Sequence, residues 1–145
     1  MATSKKITRF SLDIPDDGFN YSVFGLVTSE PDYRLSFSLN RKLNINLKKH
    51  DPIEITGSDG AKILFSRFTD LSDHPDEFYT LAVNRTGNKL FSRKYNQVDY
   101  LFLKGGTRGS EGFNKLLTSL RNLEGITAVF HIKEKEINID ALLPH

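Results

Sequence analysis

The strongest constraint on the fold lies in residues 98–132, where an apolar run, a glycine-rich loop, an amphipathic run and a second apolar run follow one another. Val98, Tyr100, Leu101, Phe102 and Leu103 read as a strand, and Lys104-Gly105-Gly106-Thr107-Arg108-Gly109-Ser110 reads as the loop behind it. Phe113, Leu116, Leu117, Leu120 and Leu123 then recur at i, i+3, i+4, i+7 and i+10, one face of a helix and the clearest periodicity in the chain. Ser110 suits the N-cap and Gly125 the left-handed end. Residues 126–132 form the second strand. A strand, a helix and a strand in this order predict a parallel pair joined by a right-handed crossover.

Upstream, the pattern is that of hairpins. Phe10, Leu12 and Ile14 alternate with Ser11 and Asp13 before Pro15-Asp16-Asp17-Gly18, and residues 21–27 follow as a strand, which predicts an N-terminal hairpin. Ser29 as cap, Pro31 and Asp32 mark a helix start. Tyr33, Leu35, Phe37 and Leu39 alternate as in a strand, while Leu35, Leu39 and Leu43 share one helical face; the start signal decides for a helix. Residues 44–47 alternate again and break at Lys48-Lys49-His50-Asp51-Pro52. Two strands turn at Gly57-Ser58-Asp59-Gly60, and a further strand over 78–83 turns at 84–88 with Leu90-Phe91 as its return. The predicted architecture is a single α+β domain over residues 1–145. Its sheet is mixed and mostly antiparallel, with two helices on one face and a C-terminal right-handed βαβ crossover.

Composition excludes several chemistries. With no cysteine there is no disulfide, thiol catalysis, iron–sulfur cluster or cysteine-ligated zinc. His50, His74, His131 and His145 lack the spacing of a metal pair, so no metal and no cofactor is expected; Asp73-His74-Pro75-Asp76 reads as a solvated loop, and His131 as a hydrogen-bonded structural residue. The N-terminus has no signal-peptide core and no run approaches the roughly 20 apolar residues of a membrane span, which places the protein in the cytoplasm and off the membrane.

The charges are blocked. Residues 34–49 carry five basic and no acidic residues, and residues 85–121 carry eight basic and two acidic, while the segments between them are acidic. Arg34, Arg41, Lys42, Lys48 and Lys49 form the first candidate basic face, which attracts anions unless the acidic blocks pack against it. Tyr33 and Phe37 lie in this segment, and Phe91, Tyr95, Tyr100 and Phe102 in the second; aromatics among cations on a sheet are one way to hold single-stranded RNA.

The glycine loop matches neither the phosphate-loop nor the dinucleotide fingerprint, which disfavours nucleotide hydrolysis and hydride transfer. Lys104, Arg108 and the backbone around Ser110 remain a candidate anion site, against the alternative that the glycines only provide a turn. Asp99 shares a strand face with Leu101 and Leu103. It reads either as a general base raised by burial or as a structural aspartate bonded to backbone amides or a basic side chain, and no second catalytic group is assignable to it.

Asp32-Tyr33-Arg34-Leu35 through Leu43-Asn44-Ile45-Asn46-Leu47-Lys48-Lys49 resembles a segment of the small bacterial proteins of the IPExxxVDY family, and Val98-Asp99-Tyr100 matches the second half of the motif that names them. The chain length and order of elements are similar over nearly the whole sequence. Ser92-Arg93-Lys94 stands where Ile-Pro-Glu is expected, so a role tied to that glutamate is altered or missing. The resemblance implies a cytoplasmic protein, favours the helical reading of residues 30–43, and carries no catalytic residue or cofactor; the roles of Asp99 and Tyr100 stay unassigned.

The leading reading is therefore a non-enzymatic binding or adaptor domain presenting a basic face to an acidic protein partner, RNA or another polyanion. Two others stay open: a small phosphate-ligand site or enzyme at the Gly105–Gly109 loop with Asp99 as acid/base, and a homo-oligomerising structural module that dimerises by sheet pairing.

Overall fold

A computed structural model describes residues 20–71, 77–106 and 112–143. β1 (Asn20–Thr28) leads into α1 (Asp32–Leu43), and β2 (Lys48–Thr56), β3 (Lys62–Asp70) and β4 (Glu77–Val83) follow. β5 (Arg85–Thr86) and β6 (Lys89–Leu90) make a small separate hairpin. β7 (Tyr100–Gly106), α2 (Phe113–Arg121) and β8 (Ile126–Ile132) complete the main sheet, and a 3-10 turn (Glu134–Glu136) and α3 (Ile139–Leu142) follow it.

The main sheet has six strands in the order β2-β3-β4-β7-β1-β8, and every hydrogen-bonded pair is antiparallel. The α+β class and the helix-covered sheet agree with the sequence; the neighbouring parallel pair does not. β7 and β8 run the same way, but β1 lies between them and pairs with both. The cause is the burial of β1: Val23, Phe24 and Leu26 are fully buried, so this strand belongs inside the sheet and the α2 connection steps over it. Residues 10–14, the first arm of the expected hairpin, lie outside the described residues.

Alternation along the central strands builds two cores. Phe24, Leu26, Tyr100 and Phe102 face Leu35 and Leu39 of α1 and Leu116, Leu120 and Leu123 at α2, so both helices cover one face. Val23, Leu101, Leu103 and Ile132 face the other way, onto Val98 and Leu142 with Phe91 and Tyr95 at their margin. Each such side chain contributes roughly 1.5–3 kcal/mol by leaving water. Gly25 is required here, since a β-carbon would stand 2.7 Å from Val98 Cγ2.

Several local expectations are corrected. The N-cap of α1 is Pro31, at φ −69°, and not Ser29. Residues 44–47 are a loop, because Asn44 closes α1 in the left-handed region (φ 57°) and Asn40 brackets Leu47, accepting from its N–H at 2.6 Å and donating to its carbonyl at 3.1 Å. The strand starts at Lys48, where a break was expected. It passes through Asp51 and Pro52 by a bulge between His50 and Ile53, which an edge strand accommodates. Leu90 returns in the β5–β6 hairpin, not against β4. The N-cap of α2 is Gly112; the expected cap, Ser110, lies outside the described residues. Gly125 has the expected positive φ of 89°, but α2 has already ended at Arg121, so this glycine turns the chain into β8.

Candidate functional site

α1 buries Leu35, Ser36 and Leu39, which leaves the opposite stripe to solvent. Tyr33, Phe37 and Arg41 succeed one another at i, i+4 and i+8 on it, with Arg34 and Lys42 alongside. Tyr33 is 65% and Phe37 60% exposed, the highest values among the large hydrophobic side chains of the described residues. The Arg41 guanidinium lies 5.8 Å from the centre of the Phe37 ring, a cation–π distance that holds the two side chains together at the surface. Beside them a groove of about 350 Å³ is lined by Phe37, Ser38, Arg41 and Lys42 from α1 and by Asn122, Leu123 and Glu124 from the turn after α2.

The cations of the first basic segment are not equivalent. Arg34 pairs with Glu30 at 3.6 Å, and Lys49 sits 3.9 Å from Asp32, donates to Ser66 and lies 5.0 Å from the centre of the Phe68 ring. Lys104 of the second segment is half-buried and 3.9 Å from Glu77. Acidic residues thus meet three of the six candidate cations among the described residues, Glu30 locally and Asp32 and Glu77 from distant segments. Arg41, Lys42 and Lys48 are exposed; Arg108 lies outside the described residues.

The glycine stretch is relocated as well. Gly105 and Gly106 end β7 and do not belong to a loop. Gly105 pairs with Tyr21 on one side and Phe78 on the other, whose rings meet edge-on at 6.3 Å, and a β-carbon on Gly105 would run into the Phe78 ring. The absent side chain makes room for an aromatic, which is a packing reason for a glycine. Arg108 and Ser110, the other candidate anion ligands, lie outside the described residues.

Asp99 and Tyr100 tie the turn after β1 to the start of β7. Asp99 Oδ2 accepts from the Thr28 N–H at 3.0 Å, the Thr28 hydroxyl donates to the Gly125 carbonyl at 2.7 Å, and the Glu30 N–H donates back to that hydroxyl at 3.1 Å. The Tyr100 phenol, buried beneath α1, donates to the Glu30 carbonyl at 2.6 Å. Burial, with the negative charges of Asp32, Asp99 and Glu30 nearby, pushes this phenol up to about 12. These contacts match the structural reading of Asp99, a carboxylate at a strand start bonded to a backbone amide.

At the place where the resemblance expects a glutamate, Lys94 is paired with Glu136 at 2.6 Å, and Tyr95 donates its phenol hydrogen to the same carboxylate. The segment between β6 and β7 is fixed by Asn84, a fully buried residue that the sequence reading missed. Asn84 Nδ2 donates to the carbonyls of Tyr95 (3.1 Å) and Val98 (2.8 Å), and Oδ1 accepts from the Ser92 N–H at 2.8 Å. His131 packs its ring against Phe113 at 4.8 Å and Phe24 at 5.9 Å, so its described contacts are aromatic.

Of the aromatics named for RNA stacking, the four of the second segment are turned inward, Tyr100 and Phe102 being buried and Phe91 and Tyr95 packed against the second core, while Tyr33 and Phe37 are exposed on α1 and not on the sheet. Among the described residues no cluster of three or more His, Asp or Glu is placed to hold a metal ion, and no helix is long and apolar enough to cross a membrane. No protein-family model matches the chain, and no curated protein matches it.

Proposed function

We propose that this chain is a non-enzymatic binding domain whose α1 face holds an acidic segment of a protein partner, and that it is related to the IPExxxVDY proteins through the segment that forms this helix. The observation that carries the reading is the exposed Tyr33–Phe37–Arg41 stripe with Arg34 and Lys42 beside it. Two solvent-facing aromatics cost solubility unless something covers them, and aromatic and arginine side chains supply most of the energy in protein interfaces. The groove beside Phe37 gives a partner side chain a place to enter, and Arg41 and Lys42 supply the charge that selects an acidic one. A nucleic acid is the weaker occupant. Its affinity grows with the number of cations that release counterions, and Lys49 and Lys104 already face Asp32 and Glu77.

The test is a titration of the full chain with a fluorescent glutamate-rich peptide carrying a leucine at every fourth position, run beside heparin and polyuridylate. Binding of the peptide that weakens by about tenfold or more in Phe37→Ala and in Arg41→Glu/Lys42→Glu supports the reading. Peptide binding unchanged in both variants refutes it, and a preference for polyuridylate with a steep salt dependence replaces it with the nucleic-acid reading.

A further inference from the structure

The two edges of the main sheet are built differently. β2 carries Lys48, Lys49, Asp51, Pro52 and Glu54 and is interrupted by the bulge between His50 and Ile53. Charge, proline and a bulge are the devices by which a sheet edge refuses another strand. β8, the opposite edge, reads Ile-Thr-Ala-Val-Phe-His-Ile and carries neither charge nor proline; its one bulge, where Val27 pairs with Ala128 and Thr28 with Ile126, sits at the start of the strand and leaves the ladder over 128–132 regular. It holds no Lys, Arg, Asp, Glu, Pro or Gly, three of its seven residues are β-branched aliphatics, and among the described residues it pairs only with β1. Phe130 on this edge is 38% exposed. A seven-residue strand of high β-propensity and no charge, with one row of backbone donors and acceptors outward, is a template for strand addition.

We propose that β8 is the seam of a homodimer, in which a second copy of this chain adds its own β8 antiparallel and joins two six-stranded sheets into one of twelve. The strand's chemistry favours a copy of itself. An uncharged edge offers no electrostatic handle to a charged foreign strand, and copy against copy brings no like charges together. The pairing is self-complementary about a two-fold axis. With Val129 on the axis, Phe130 of each copy falls opposite Ala128 of the other, a large side chain against a small one. It lies on the sheet face away from α1 and α2, as the pairing of Phe130 with Gly25 requires. A seam this short is smaller than the roughly 1,600 Å² of a standard interface, so the dimer dissociates in the micromolar range. This inference does not rest on the α1 reading, because α1 and β8 are separate surfaces.

Sedimentation velocity on the full chain over a dilution series tests it, together with amide hydrogen exchange at two concentrations. The expected result is an apparent mass that doubles with concentration, with exchange over residues 126–132 slowing in step. Thr127→Lys/Phe130→Lys, both exposed positions, sets like charges across the seam and weakens association about tenfold, while Glu54→Lys on the β2 edge leaves it unchanged. Exchange needs no variant, so a misfolded double mutant does not protect the idea. A monomer at every concentration overturns it, and so does a dimer that Glu54→Lys dissociates. Concentration-independent protection of β8 in a monomer also overturns it, because the edge is then covered without a second copy.

Discussion

The Tyr100 phenol donates a 2.6 Å hydrogen bond to the backbone carbonyl of Glu30, at the turn where β1 hands over to α1. A buried hydroxyl beneath a helix start fixes where the helix sits on the sheet, and with it the direction of the Tyr33–Phe37–Arg41 stripe. Replacing it by phenylalanine keeps the ring and strips the bond, so Tyr100→Phe lowers stability by about 1–2 kcal/mol at neutral pH. The pH dependence has a definite sign. Burial with three carboxylates nearby raises the folded-state pKa to about 12 from 10.0, so the unfolded chain gives up the proton first. The contribution is complete below pH 10 and is lost as pH rises towards about 12. Denaturant midpoints measured across that window fall more steeply for the wild type than for Tyr100→Phe; equal slopes remove the assignment.

Asn84 makes a second prediction, on the opposite face of the sheet. Its amide donates to two carbonyls and accepts from one amide, all within the segment that carries Phe91, Tyr95 and Val98 across the second core. Asn84→Asp is nearly isosteric but turns the donor into an oxygen facing two carbonyl oxygens, with a charge in a fully buried place. The expected loss is about 3 kcal/mol or more, and Asn84→Ala loses about 2 kcal/mol. Chemical denaturation of the two variants checks the order. If aspartate is tolerated as well as alanine, the amide is not the clamp described.

Much of this architecture is legible in the sequence where the signal is local. Leu116 and Leu120 announce the buried face of α2, and Leu35 and Leu39 that of α1, because helical periodicity needs no knowledge of the rest of the chain. Asp59-Gly60 likewise announces the β2–β3 turn. What stays hidden depends on residues distant in sequence. Gly105 and Gly106 read as loop glycines until Phe78 is seen lying over Gly105. The basic face shrinks because Asp32 reaches Lys49 and Glu77 reaches Lys104. Nothing near Asn84 marks it, since its partners lie 8 to 14 residues onward in an irregular segment. The aromatic stripe of α1 was within reach: once Leu35 and Leu39 point inward, Tyr33 and Phe37 must point outward.

Thr80 offers a stabilising change. Its side-chain oxygen is fully buried in β4 and, among the described residues, has no hydrogen-bond partner. A desolvated hydroxyl with nothing to bond costs about 1–3 kcal/mol, and valine has nearly the same shape without it. Thr80→Val raises the free energy of unfolding by about 1 kcal/mol and the melting temperature by a few degrees. A destabilised variant shows instead that the hydroxyl is satisfied in solution.

Glu136 governs how the end of the chain responds to acid. Hydrogen bonds from Lys94 and then Tyr95 hold its carboxyl down to about 2, against an ordinary 4.5, and Lys94 and Tyr95 are raised by the same contact. For a depressed carboxylate, the contribution is present above the unfolded value and is lost as pH falls through the folded one. Between pH 4.5 and about 2 the contact therefore weakens while the sheet, whose cores are apolar, is still closed. The local consequence is a looser attachment of the turn over Glu134–Glu136, and α3 is the control within the same molecule. Arg67 holds it separately, donating to the carbonyls of Leu142 at 3.5 Å and Leu143 at 3.3 Å, bonds that do not titrate in this range. Amide exchange at Glu136 and Ile137 accelerates on acidification in the wild type, beyond the intrinsic pH effect, while exchange at Leu143 does not. In Glu136→Gln the difference is already present at neutral pH and changes little with acid. Parallel acceleration at all three amides would mean that the whole segment detaches as one unit and that Glu136 is its anchor in place of Arg67.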